Sequence, residues 1–381
     1  MLIFIAFIWV LAFLYAVLIL LYRHWFNRLQ AFTPNVTSNP QIFFSIIIPA
    51  RNEENNIGAC LAAIAKQQYP AYLMEVIVVD DHSEDNTAQV VLQYQSILPG
   101  LRIIYLKDHL LGRIINAYKK KAIEIAIAQA KGNWIVTTDA DCTMGSNWLN
   151  FLGAYIEQYQ PVLVAAPVVF EKKNGLLGNF QLLDFVSLQG ITAAAVAAGY
   201  HSMCNGANLA YAKQAFYDVG QFAGIDQIAS GDDMLLMYKM KKKFPGKMGF
   251  LFHRGAIVYT APVNSWRAFF QQRIRWASKA DSYADKTIFY VLLIVYLLNA
   301  SILVTFIIGC WNEWVFSQAV LLLFFKTAIE LSFMIPVANF FSVSQRLWLF
   351  PFLQPLHIIY TVIAGWLGKF GSYEWKQRKV N

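Results

Sequence analysis

Residues 1–21 carry no charge and hardly a polar group, and this run limits the possible folds more than any other feature of the chain. A helix of that length is roughly 30 Å long, enough to cross a bilayer, where backbone N–H and C=O groups must bond within the segment. A cleaved leader would show a basic start and a small-residue cleavage site, and neither is visible. Arg23, His24 and Arg28 follow the run, so the positive-inside rule puts the N-terminus outside and residue 23 onward in the cytosol. Further apolar runs over 288–310, 319–341 and 347–367 read as spans. Lys326 and Glu330 sit four apart in the second of these, spaced to pair on one helical face. Pro351 and Pro355 break up the third. Three C-terminal spans would leave Lys376, Arg378 and Lys379 outside, against the charge rule, so the run 347–367 is expected to be interfacial or re-entrant.

Composition agrees. Hydrophobic residues make up 57% and charged residues 14%, too apolar for a wholly soluble chain. Cys60, Cys142, Cys204 and Cys310 show no CxxC spacing, which argues against a structural zinc site or a disulfide framework and fits a reducing compartment. The net charge of +8 suits either nucleic acid or an anionic membrane surface with an anionic substrate. The apolar excess favours the second, and no nucleic-acid partner is expected.

Between these apolar ends the chain has ordinary polarity. Residues 33–40 form a Pro-punctuated linker. Strands are expected over 43–49, 75–80, 101–106 and 134–139, with helices over 54–67, after Ser83 and over 115–130. This alternation implies an α/β fold with a mostly parallel central sheet. No Gly-x-Gly-x-x-Gly follows the first strand and there is no Walker A sequence, which disfavours a dinucleotide enzyme or a P-loop ATPase. The expected organisation is an N-terminal transmembrane helix over 1–22, a linker over 23–42 and a catalytic domain over 43–285. A C-terminal membrane region over 286–370 and a basic tail over 371–381 follow.

Polar residues gather where strands end. Pro49-Ala50-Arg51-Asn52-Glu53 follows the first strand, Asp80-Asp81-His82-Ser83 the second, and Asp139-Ala140-Asp141 the fourth. Alone, Asp-x-Asp reads equally as a solvated turn, Ser83 as a helix N-cap and His82 as a bystander. Three such ends on one sheet edge make a site, because ligands of open α/β sheets bind outside the carboxyl ends of the strands. Two aspartates there can hold a hard divalent cation, which in turn holds phosphate oxygens. Lys119-Lys120-Lys121 is either a solvated basic face or a diphosphate contact. Asp232 and Asp233 open the apolar-periodic helix over 234–240, as N-caps or as a base kept ionised by the helix dipole. Trp266, Phe269, Phe270, Arg273 and Trp276 recur at helical spacing, which fits an interfacial helix near 266–280 or a core-packed one.

The ordered set Pro49-Ala50-Arg51-Asn52-Glu53, Asp80-Asp81-x-Ser83, Asp139-x-Asp141, Gly231-Asp232-Asp233 and Gln272-x-x-Arg275-Trp276 resembles the family 2 glycosyltransferases of GT-A (nucleotide-diphospho-sugar transferase) fold. It is most similar to their membrane-attached branch, the cellulose, chitin, hyaluronan and poly-N-acetylglucosamine synthases and ceramide glucosyltransferase. The resemblance implies that Pro49, Arg51, Glu53, Asp80, Asp81, Lys121, Asp139 and Asp141 bind the nucleotide sugar. Asp81 or Asp80 would meet the uracil, and Asp141 would ligate Mg²⁺ or Mn²⁺. Asp233 would be the general base, with Asp232 in the place of the family's Glu. Gln272, Arg275 and Trp276 would lie by the diphosphate and acceptor, and Asn205, Gly206 and Asn208 on the acceptor side. Two departures stand out: Gly231-Asp232-Asp233 replaces Thr-Glu-Asp, and three C-terminal apolar runs are few for a polymer channel.

The expected activity is inverting, metal-dependent transfer of a sugar from a cytosolic UDP-sugar to a lipid or glycan acceptor at a membrane, the bacterial inner membrane by this reading. The alternatives are a processive polysaccharide synthase and an inactive scaffold that binds nucleotide sugars.

Overall fold

The computed structural model describes residues 1–34, 40–279, 285–370, 373–375 and 378–380. Residues 35–39 of the expected linker and the basic side chains of the expected tail lie outside the described residues. The chain divides into two compact units. One comprises Gln30–Glu171 and Ser202–Ala261, the other Met1–Leu29, Lys172–His201 and Pro262–Asn381.

The first unit holds ten strands: Phe44–Ala50 (β1), Met74–Asp80 (β2), Leu101–Tyr105 (β3), Trp134–Thr137 (β4), Cys142–Met144 (β5), Leu163–Ala165 (β6), Val168–Phe170 (β7), Leu209–Ala212 (β8), Met248–Phe250 (β9) and Val258–Thr260 (β10). Seven form a sheet in the order β3-β2-β1-β4-β8-β6-β9. Only β8 runs against its neighbours; the other pairings in this sheet are parallel. The sheet is therefore mixed and mostly parallel. Ile46, Ile47, Ile48, Ile77, Val78 and Val79 are all fully buried. That is why β1 and β2 read as continuous apolar runs and not as alternating ones. Parallel neighbours need crossovers, and helices Ile57–Ala65, Thr87–Gln93 and Tyr118–Gln129 supply them. A smaller sheet, β5-β10-β7, brings Thr260 opposite Cys142.

Adjacent parallel β2, β1 and β4 end on one edge: Ala50 pairs with Asp80, and Ile47 with Thr137. The three motif-bearing loops leave from that edge.

The second unit is helical. Five helices among the described residues are long and apolar enough to cross a membrane: Leu2–Asn27, Leu176–Ala197, Lys286–Gly309, Glu313–Phe340 and Ser344–Phe370. The sequence reading did not anticipate Leu176–Ala197. Two details of the last two helices correct or confirm expectations. Phe350–Phe370 is continuous, so Pro351 and Pro355 do not break it. Pro351 sits in the first turn, where its missing N–H has no intrahelical partner to lose. Lys326 and Glu330 do pair, at 2.7 Å, and Gln354 bridges them from a neighbouring helix at 2.7 and 2.5 Å.

Candidate active site

At the end of β1 the chain turns through Asn52, whose φ of 51° is left-handed, and at the end of β2 through His82, with φ of 56°. Such backbone costs energy in a non-glycine residue and persists only where surrounding bonds hold it. Here the two loops hold each other. Ser83 Oγ accepts from the Asn52 amide at 3.1 Å, and Asn52 Oδ1 accepts from the Glu84 amide at 2.9 Å. Ser83 is thus a loop tie and not the N-cap of Thr87–Gln93. Arg51 is buried and donates to the Asp81 carbonyl at 3.1 Å, while the Asp81 amide donates to Ala50 O at 2.8 Å. Arg51 therefore braces the two loops. Glu53 Oε2 accepts from Asn56 at 2.8 Å. Pro49 lies within β1, opposite Val79.

Asp80 and Asp81 are both buried. Asp81 Oδ1 lies 3.0 Å from His82 Nδ1. Asp80 Oδ2 accepts weakly from the Ser83 amide at 3.4 Å, and its buried Oδ1 has no hydrogen-bond partner among the described residues. A buried lone carboxylate oxygen is costly unless a donor arrives.

A second group of carboxylates forms beyond β4. Asp139, Asp141 and Cys142 present ligand atoms within 4.8 Å of one another. Burial, then the charges of Asp139 and Glu53, push the Asp141 carboxyl up to about 6. Thr260 Oγ1 donates to Asp141 Oδ2 at 3.2 Å. Lys119 Nζ lies 2.8 Å from Asp139 and 3.3 Å from Asp232. Burial pulls the Lys119 ammonium down, but Asp139 and Asp232 outweigh it and drive it up, so it stays charged. One lysine does not balance four neighbouring carboxylates and Glu53, so the cluster suits a divalent cation. Its oxygen donors fit Mg²⁺ or Mn²⁺. The Cys142 thiol is pushed up by burial and by Asp139 and Asp141, and a protonated thiol is no ligand for a hard cation.

Asp233 caps helix Met234–Lys243, accepting from the Met234 amide at 2.7 Å, and its other oxygen accepts from the Gly206 amide at 3.1 Å. Each oxygen keeps a lone-pair direction. A Cβ at Gly206 would lie 3.3 Å from Asp232 Oδ2, a tight approach, and at ordinary contact, 3.6 Å, from Lys119 Nζ. Asn205 caps the turn Gly206–Asn208 through the Ala207 amide.

The structure thus gathers Glu53, Asp139, Asp141, Asp232, Asp233 and Gly206, and it adds Lys119 and Thr260. It does not gather every expected residue. Lys121 is half exposed and pairs with Glu124 at 3.2 Å, whereas Lys119 is the lysine that meets the strand-end carboxylates. The missed signal was the apolar stripe Ala122, Ile123, Ala126 and Ile127, which extends back to positions 119 and 120 and leaves 121 on the outer face. Asn208 is fully buried. It donates to Pro167 O and Ala256 O, both at 2.8 Å, and accepts from Trp148 Nε1 at 2.9 Å, so its amide is engaged inside the protein.

Gln272, Arg275 and Trp276 belong to the helical unit, on Trp266–Ala277. Between them, Arg273 is buried, pairs with Asp184 at 2.6 Å and stacks over Trp276 at 4.2 Å and Phe269 at 4.8 Å. That fixes the rotation of this helix within its own unit.

A family model described as glycosyl transferase family 2 matches residues 45–220, and one described as glycosyl transferase family group 2 matches residues 134–366. The chain belongs to the family 2 glycosyltransferases. Glycosyltransferase AglE of Haloferax volcanii is 31% identical over 39% of this chain and 46% of its own length. An N-acetylglucosaminyltransferase of Sinorhizobium fredii is 27% identical over 66% of this chain and 60% of its own. The chain spans less than two thirds of either relative. Among solved structures, a mannosyltransferase from Pyrobaculum calidifontis, in complex with GDP-Man and Mn²⁺, matches with a TM-score of 0.60. The match covers 96% of this chain and 98% of that one at 19% identity, a likeness of fold. This family 2 glycosyltransferase therefore carries its strand-end carboxylates on a GT-A-like mixed sheet.

Proposed function

We propose that this enzyme transfers a sugar from a cytosolic UDP-sugar to a lipid or glycan acceptor at a membrane, with inversion at the anomeric carbon. The convergence of Asp139, Asp141, Lys119, Asp232 and Asp233 carries the reading. The unpartnered Asp80 Oδ1 suits a nucleobase N–H donor. Asp139 is assigned to the ribose by family resemblance, and Lys119, beside Asp139 and Asp232, to the diphosphate. Asp141, beside Asp139, would hold Mg²⁺ or Mn²⁺, which when bound would neutralise charge on the departing diphosphate. Asp233 is assigned as the base by family resemblance, while Asp232 is engaged by Lys119. An Asp233 oxygen takes the acceptor hydroxyl proton as the hydroxyl oxygen attacks the anomeric carbon. The bond from that carbon to the diphosphate breaks, and UDP leaves with the electron pair. Gln272, Arg275 and Trp276 are assigned to the diphosphate and acceptor by family resemblance. The named N-acetylglucosaminyltransferase relative makes an N-acetylhexosamine the first donor to try.

The test is UDP release from several UDP-sugars with membrane extract as acceptor, run beside UDP affinity by calorimetry. Asp233→Asn is expected to keep UDP affinity and lose transfer by about 10²–10⁴-fold, the usual worth of a general base. Normal turnover in Asp233→Asn would remove Asp233 from the base role. No UDP release from any donor by the wild type would favour the inactive scaffold.

A further inference from the structure

Lys120, next to the lysine that meets the carboxylates, faces a different target. It is 1% exposed, on the first turn of Tyr118–Gln129. Its ammonium donates to three backbone carbonyls, Ile225 and Ile228 at 2.7 Å and Ser230 at 3.0 Å. Three N–H donors thus meet three acceptors. The carbonyls belong to the turn-rich segment over 221–230, which leads straight into Gly231-Asp232-Asp233. Gly231 turns there with φ of 77°, backbone that an L side chain rarely adopts. Two residues past Ser230, Asp232 meets Lys119. Consecutive lysines of one helical turn therefore grip one short stretch at successive points, Lys120 by its backbone and Lys119 by its side chain.

We infer that Lys120 is a positioning residue for Asp232 and Asp233, an inference that rests on the proposed role of Asp233. The ammonium fixes the Ser230 carbonyl, and the glycine turn then delivers Asp233 to the Gly206 amide. The helix bearing Lys120 is anchored independently by Ala122, Ile123, Ala126 and Ile127. The donor-side carboxylates Asp80 and Asp139 leave the sheet edge on other segments. Loss of the ammonium therefore displaces the base without displacing the donor site. An internal control exists in Lys239, which bonds Gln221 O at 2.6 Å and Ala223 O at 2.8 Å, gripping the same segment at its far end from Gly231.

The experiment compares wild type, Lys120→Met, Lys239→Met and Asp233→Asn in the full chain in detergent, reading turnover, UDP affinity by calorimetry and the melting midpoint. Lys120→Met is expected to lose at least tenfold in turnover while UDP affinity stays within threefold. Lys239→Met is expected to melt lower and turn over within threefold of wild type. Should Lys120→Met fail to fold, Lys120→Gln, which retains two N–H donors, gives the same comparison. Normal turnover in the Lys120 variant overturns the inference, and so does an equal turnover loss in Lys239→Met. If Asp233→Asn is inactive while the Lys120 variant turns over normally, only the positioning role fails. If Asp233→Asn turns over normally, the base assignment falls and the positioning role falls with it.

Discussion

Asp141 holds its proton to about pH 6 because burial and then the charges of Asp139 and Glu53 oppose its ionisation. Its pKa is raised on folding, so the folded state binds the proton more tightly than the unfolded chain. The stability this group contributes is present below about pH 4 and is lost as pH rises through about 6. At pH 8 the ionised carboxylate costs the metal-free fold about 3 kcal/mol. Asp141→Asn is therefore expected to melt higher than wild type in EDTA at pH 8, with the difference gone near pH 4. Added Mn²⁺ should raise the wild-type midpoint and leave that of Asp141→Asn unmoved, a reading that needs no turnover. A lower midpoint for Asp141→Asn in EDTA at pH 8 would contradict the carboxylate crowding. At this scale the sequence revealed residue types better than directions. Asp139, Asp141, Asp232 and Asp233 were visible because each sits where a strand ends or a helix begins. The side chains of Lys119, Lys120 and Lys121 diverge by about 100° per residue, and the apolar stripe of the helix, not the residue type, assigns them.

At the scale of elements, the strands of the parallel half were legible because burial on both faces leaves unbroken Val and Ile runs. The helix Leu176–Ala197 was not. It is buried on nearly every side and carries Gln181, Asp184, Gln189 and Thr192, so neither an amphipathic stripe nor a polar-free run marks it. Asp184 meets Arg273 within the helical unit, a partnership that no local spacing announces. Asn208 was legible as part of a motif but not in its role. It ties the start of β8 to Pro167 and Ala256 beside the smaller sheet and to Trp148. Asn208→Ala would orphan the Trp148 N–H and the Ala256 carbonyl, each a buried group worth about 1–3 kcal/mol, while Pro167 O keeps the Val258 N–H. The expected result is a loss of about 3 kcal/mol in a denaturant melt, with the acceptor KM unchanged in the folded fraction. An unchanged melt with a raised acceptor KM would return Asn208 to the acceptor side.

For the whole molecule, length and apolarity alone do not count the spans. β8 follows Leu176–Ala197 in the chain yet pairs with β4, which precedes it. The chain thus leaves one sheet before that helix and returns to it afterwards, so length and apolarity alone do not make the helix a span. Lys286–Gly309 is different: 24 residues, about 36 Å as a helix, enough to cross. Only Cys310, Trp311 and Asn312 separate it from Glu313–Phe340, and no lysine or arginine occurs between 287 and 325. A turn without basic residues, with Trp311 and Trp314 exposed, is expected on the outer face. The chain supplies its own probe for this orientation. Cys310 is exposed, whereas Cys60, Cys142 and Cys204 are buried in the unit proposed to be cytosolic. In intact cells a membrane-impermeant maleimide is expected to label the protein at one thiol, and Cys310→Ser should abolish the label. Labelling that appears only after permeabilisation would place this turn in the cytosol. The catalytic unit would then face outward, away from the cytosolic nucleotide sugars on which the proposed reaction depends.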